Sequence, residues 1–115
     1  QTLIPQNSST DGANADALAC YAAPPSRVRV GMQAFLDGHG YDVNLRSENS
    51  YQSTRIRLLP SGTSVEIIGG PQCGADAKRT YVWWQVRVTS TNEIGWIAEG
   101  DSVQKPTVYV IVPAE

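Results

Sequence analysis

A small all-β barrel is the fold class this 115-residue sequence predicts. Three observations predict it. Four short hydrophobic pieces between Val43 and Asp101 are each followed by a turn signal. Several runs alternate apolar and polar residues with period two, the spacing of a half-buried strand. Strands this short, recurring at this spacing, build barrels and sandwiches.

Residues 1–26 differ from the rest. Gln6 to Ala17 is Asn, Ser, Thr, Asp, Gly and Ala, and buries too little apolar surface to offset its ordering entropy. A flexible leader is expected there, with one short turn of helix around Asp16–Ala19. Ala22-Ala23-Pro24-Pro25 then stiffens the backbone into an extended lead-in. The barrel domain is expected over 27–115.

From Arg27, Val28, Val30 and Met32 fall on one face and Arg27, Arg29 and Gly31 on the other, which predicts a strand. Asp37-Gly38-His39-Gly40 reads as a turn, because Gly adopts positive φ without strain. Val43 and Leu45 predict a short strand, and Ser47 to Ser53, polar around one Tyr51, a long surface loop. Ile56, Leu58 and Leu59 bring the chain back as a strand. Pro60-Ser61-Gly62-Thr63 turns it. Val65, Ile67 and Ile68 predict the next strand, ended by Gly69-Gly70-Pro71, and Gln72 to Thr80 a second loop. Tyr81 to Thr89 reads as the longest strand, Ser90-Thr91-Asn92-Glu93 as a turn, and Ile94 to Ile97 as the strand after it. Val108, Val110 and Val112 alternate in one last strand before Pro113.

Hydrophobic residues make up 41% and charged residues 17%, as in an ordinary folded domain. A formal net charge of −2 argues against a nucleic-acid or anionic-membrane partner, since phosphate binding needs a basic field. No apolar stretch approaches the roughly 18 residues that span a bilayer. The chain begins at Gln1 without Met, and we expect a mature or trimmed chain with any signal peptide already removed, or a fragment of a longer protein. Cys20 and Cys73 stand 53 positions apart with no C-x-x-C pair, and the one histidine is remote from both, so a metal site is not expected. That spacing leaves a disulfide in an oxidising compartment or two buried free thiols in a cytosolic protein, ahead of a nucleophilic cysteine, which would need a nearby base.

The motifs carry a resemblance. Asn44-Leu45-Arg46-Ser47, Leu59-Pro60-Ser61-Gly62-Thr63-Ser64-Val65, Trp83-Trp84-Gln85-Val86-Arg87 and Gly95-Trp96-Ile97, in that order over residues 43–101, resemble the bacterial SH3-like (SH3b) domain. Cys20 with Pro24-Pro25-Ser26-Arg27-Val28, Gly31-Met32 and Gly70-Pro71-x-Cys73 look like a secreted, disulfide-containing variant of it. The resemblance implies an SH3-like barrel with an N-terminal extension and an added C-terminal strand, and a Cys20–Cys73 bridge. It also implies a binding module and not a catalyst. The family's best-known members sit beside cell-wall hydrolases, but no hydrolase signature is present here.

Among candidate site residues, Trp83 and Trp84 cannot both enter the core, because neighbours on a strand point to opposite faces. Trp84 shares its face with Val86 and Val88 and is expected inside. Trp83 shares its face with Gln85 and Arg87, nearer solvent, where it either packs under a loop or the lead-in, or contacts a ligand. Trp96 is expected to be structural. Tyr51 and Tyr81 offer a flat face with one hydroxyl, suited to peptide or sugar recognition, and with Trp83 they could line a groove between the two loops. His39 lacks a convincing orienting partner, with Asp42 three residues on, and is expected as an exposed turn histidine. Glu99 and Asp101 are expected to cap the turn after Trp96; two carboxylates are too few for a calcium site. Arg27, Arg29, Arg55 and Arg57 are expected on solvated faces. No G-x-S-x-G elbow and no acid, base and nucleophile set occurs, so the sequence does not predict an enzyme or a cofactor.

The expected function is a non-catalytic, extracytoplasmic module, secreted or held at the cell envelope. It is expected to recognise cell-wall peptide or glycan or to target a larger protein to the envelope; the alternative is a structural or protein–protein interaction module outside the cell without wall affinity, partnered by a secreted protein.

Overall fold

The computed structural model describes residues 20–75, 79–103 and 106–114. The expected flexible leader and the helical turn at Asp16–Ala19 lie outside the described residues. Among those residues there are nine strands and no helix: β1 Gln33–Leu36, β2 Val43–Arg46, β3 Arg55–Leu59, β4 Ser64–Cys73, β5 Val82–Val88, β6 Ile94–Ala98, β7 Gly100–Asp101, β8 Val108–Tyr109 and β9 Ile111–Pro113. Seven form one antiparallel sheet in the order β9-β1-β4-β5-β6-β2-β3, and β7 pairs with β8. This is the expected small SH3-like all-β architecture.

The core is the set of side chains whose strand parity faces inward: Leu36, Leu45, Val65, Ile67, Val86 and Ile111 are fully buried. Trp84, Val86 and Val88 occupy the inner face of β5, as the alternation required. Cys20 and Cys73 form a disulfide. The lead-in that carries Cys20 is tied down further. Tyr21 and Ala22 donate their backbone N–H groups to the carbonyls of Arg79 and Thr80, and Ser102 donates to Ala22. The Tyr109 hydroxyl donates to the Pro25 carbonyl at 2.7 Å.

Four expectations about strands are corrected. The strand expected at Val28–Met32 is a turn, closed by Met32 N–H on the Arg29 carbonyl, with Gly31 at φ 97°. Val30 is thrown outward to 52% exposure while Val28 stays buried. The strand follows it instead, at Gln33–Leu36, where Ala34 and Leu36 continue the inward parity of Met32. Gly69-Gly70-Pro71 does not end its strand: β4 runs through it to Cys73. Two register shifts against β5, between Ile67 and Gly69 and between Gly69 and Gln72, absorb residues that a regular ladder would reject. β4 is therefore the longest strand, not β5. Finally, the last strand is two: β8 pairs with β7, the chain bends at Val110, and β9 pairs with β1. The fully buried residue there is Ile111.

Candidate binding site

The site is assembled by two loops lying side by side. The loop after β2 is held by its own polar side chains, because the Ser53 hydroxyl donates to the Ser50 carbonyl at 2.7 Å with the Glu48 carbonyl 3.1 Å away. It is bound to the end of β4 by Asn49, whose Nδ2 donates to the Cys73 carbonyl at 3.0 Å, and by Ala75 N–H on the Asn49 carbonyl. That juxtaposition places Tyr51 against both other candidates. Its ring centroid is 4.9 Å from that of Trp83 and 5.4 Å from that of Tyr81, both edge to face. Edge-to-face contact sets the positive rim of one ring against the negative face of another.

The three residues proposed from sequence are thus brought together, but with different exposure. Tyr51 is 48% exposed and Trp83 only 1%. The expectation that Trp83 stands nearer solvent is overturned. It keeps the outward parity of β5, yet the loops and Tyr51 cover it. Of its two readings, packing beneath a loop is the one observed. Its Nε1 is buried without a hydrogen-bond partner among the described residues and lies against Gly74, where a Cβ would come within 2.9 Å. Tyr81 is half-buried, with its hydroxyl 3.5 Å from Asp101.

Beside Tyr51 the surface opens into a depression of about 170 Å³, lined by Asn44, Arg46, Tyr51, Trp83, Ile97 and Ala98, among others. Its origin is a splay in the sheet. β2 and β6 are in register only at Arg46 and Trp96, and separate beyond that pair. Gly95 lets the strands approach closely at the joined end, since a Cβ there would meet Leu45 Cγ at 2.7 Å. Arg46 reaches across the mouth, its Nη1 donating to the Ser53 carbonyl at 3.0 Å and its Cζ 5.5 Å from the Tyr51 ring centroid. Arg46 Nε and Asn44 Oδ1 are buried and without hydrogen-bond partners among the described residues. Trp96, the cross-strand neighbour of Arg46, is half-buried and is not among the residues that line the depression.

The remaining candidates lie elsewhere. His39 is exposed in its turn at φ 51°, with Nε2 2.7 Å from the Tyr109 carbonyl oxygen; its nearest carboxylate is Asp37, not Asp42. Asp42 instead lines the depression. Arg57 pairs with Glu93, holding that carboxyl below its ordinary range. Arg27 is exposed, but its guanidinium stacks 4.0 Å from the Tyr109 ring centroid and is not simply solvated. Glu99 is the larger correction. It caps no surface turn and is fully buried, accepting from Trp84 Nε1 at 2.8 Å and from the Arg27 backbone N–H at 2.7 Å. Burial pushes its carboxyl above the usual carboxylate range against those hydrogen bonds. Asp101 accepts from the Val103 backbone N–H and so does serve as a local turn cap. Sequence reasoning missed Arg46 and Asn44 as site residues. The parity of β2 places both on the outer face, but the splay that exposes them is a property of strand pairing.

Among the described residues, no group of three or more His, Cys, Asp or Glu is placed to hold a metal ion, and no helix is long and apolar enough to cross a membrane. The family model described as Bacterial SH3 domain matches residues 42–103, over half of the chain. No curated protein and no solved structure matches it.

Proposed function

The chain belongs to the bacterial SH3 domain family, and on that footing we propose that it is an extracytoplasmic, non-catalytic module that binds cell-wall peptide through Tyr51 and Tyr81, with Trp83 as the covered base of the platform. The observation that carries the reading is the edge-to-face cluster of these three rings beside an open depression. An aromatic platform with a neighbouring groove suits an extended peptide, whose backbone lies across the rings while one side chain enters the groove. A structural disulfide is consistent with an oxidising compartment.

Tyr51 is the residue to test, because Trp83→Ala would empty a buried site and confuse binding with folding. Tyr51→Ala should lower retention on insoluble bacterial peptidoglycan at least about tenfold, equivalent to roughly 1.4 kcal/mol. Because the Tyr51 ring packs edge to face on Trp83 and Tyr81, its melting temperature should fall by several degrees, and retention is compared at a temperature where both proteins are folded. Retention of both proteins alike would remove the platform from the binding site. Retention of neither would remove wall affinity and leave a secreted protein as the partner to seek.

A further inference from the structure

Resting on the peptide-binding reading, we propose that the depression between β2 and β6 is a subsite for a carboxylate of the bound peptide, held by the Arg46 guanidinium. Three observations carry this. First, Arg46 is a half-buried cation, and among the described residues no carboxylate lies within ion-pair distance of it. A charge withdrawn from water is costly until an opposite charge meets it. Second, among the described residues its guanidinium makes one hydrogen bond, from Nη1 to the Ser53 carbonyl. That bond fixes the plane of the guanidinium and leaves Nε as an unsatisfied donor. A guanidinium held at one edge presents its other donors as a fork, which a carboxylate meets with two parallel hydrogen bonds.

Third, Asn44 stands two residues from Arg46 on the same outer face of β2, lines the same depression, and has an unsatisfied buried Oδ1. A carboxylate on Arg46 brings a peptide N–H within its neighbourhood, and that donor is what Oδ1 lacks. The surrounding wall is aliphatic, with Val43, Ile97, Ala98 and Val110, so a small apolar residue fits next to the carboxylate. Asp42 at the rim disfavours a second carboxylate there. Nε and Oδ1 are covered as the chain is folded, and the half-exposed Tyr51 ring beside the guanidinium is the element that gives way on binding.

The carboxylate could be a chain terminus or an acidic side chain, and three probes separate the two: N-acetyl-trialanine, its C-terminal amide, and N-acetyl-Ala-Glu-Ala amide. Each is titrated into the uniformly labelled, oxidised chain while the Arg46 Nε and Asn44 side-chain resonances are followed. At least one acid should bind about tenfold or more tighter than the neutral amide and shift both resonances. A terminal carboxylate is the ligand if only trialanine does so, and a side-chain carboxylate if only the Glu peptide does. Arg46→Lys, which keeps the charge and loses the fork, should abolish the preference with an unchanged melt. If that variant melts early, the wild-type Arg46 Nε shift decides alone. Equal binding of acid and amide, no binding by any probe at millimolar concentration, or a preference that survives in a folded Arg46→Lys would each overturn the subsite. Retention on peptidoglycan that depends on Tyr51 but ignores Arg46→Lys would sink the subsite and leave the wall-binding reading standing.

Discussion

Removal of the Cys20–Cys73 disulfide, by reductant or by the double Cys→Ala substitution, should lower the melting temperature by roughly 20 °C. The bridge spans 53 residues, and the loop-closure entropy it removes from the unfolded chain is worth about 4 kcal/mol. Small domains lose about 4–8 °C for each kcal/mol, and a total stability of about 5–15 kcal/mol leaves little reserve. The bridge also has a local consequence. It holds the lead-in against the end of β4, where Tyr21 and Ala22 donate to Arg79 and Thr80 and where Val28 enters the core. The lead-in closes one side of the barrel, so residues 42–103, the segment that the family model matches, should not fold when cut out alone. That segment lacks both β1 and β9, and with them the fully buried Leu36 and Ile111. Calorimetry with and without reductant measures the first effect and circular dichroism of the excised segment the second. An unchanged melt in reductant, with thiol titration proving that the bridge is open, would contradict a stabilising disulfide.

What the sequence made legible divides along a physical line. Period-two alternation is a local property, so β2, β5 and β6, with the inward placement of Trp84, Val86 and Val88, could be read directly. Turns marked by Gly, Pro and Asp were equally local. Failures began where pairing partners decide the outcome. Val28-Val30-Met32 has the alternation of a strand, but Gly31 in the left-handed region breaks it. Gln33-Ala34-Phe35-Leu36 has one strong β-former, Phe35, and no β-branched residue, and is a strand because β4 and β9 flank it. Gly69-Gly70-Pro71 looks like a terminator and is instead a pair of bulges against β5. The site shows the same division. Tyr51, Tyr81 and Trp83 could be named from their chemistry, and the structure brings them together. That Trp83 is covered follows from loop packing, and that Arg46 and Asn44 border a depression follows from β2 and β6 parting after a single register pair. Neither has a signal in local sequence.

Glu99 yields the second large effect. Glu99→Ala should destabilise the chain by about 2–4 kcal/mol, or roughly 10–25 °C in melting temperature. The carboxylate satisfies two donors at once, Trp84 Nε1 and the Arg27 backbone N–H. Each is left unsatisfied by Ala, at about 1–3 kcal/mol for a buried group. Release from the cost of burying a carboxylate offsets part of this. Glu99→Gln preserves one acceptor but turns an NH₂ toward the other donor, so it should fall between Ala and the wild type.

The same residue sets a pH dependence whose sign is fixed by its environment. Burial raises its carboxyl in the folded chain above the usual carboxylate range, outweighing the hydrogen bonds from Arg27 and Trp84 that act the other way. The folded state therefore takes up a proton more readily than the unfolded state. The contribution of Glu99 to stability is fully present below the unfolded value and is lost as pH rises through the raised folded value. Glu93 behaves oppositely, because Arg57 lowers its carboxyl and its contribution is lost on acidification. A melt of the wild type alone would mix the two. The stability difference between wild type and Glu99→Gln isolates Glu99, and it should grow in favour of the wild type as pH falls from neutral toward the ordinary carboxylate range. It should then level off below that range. A difference that is constant with pH, or that shrinks on acidification, would mean that Glu99 stays ionised in the folded chain and that the Trp84 and Arg27 donors outweigh its desolvation.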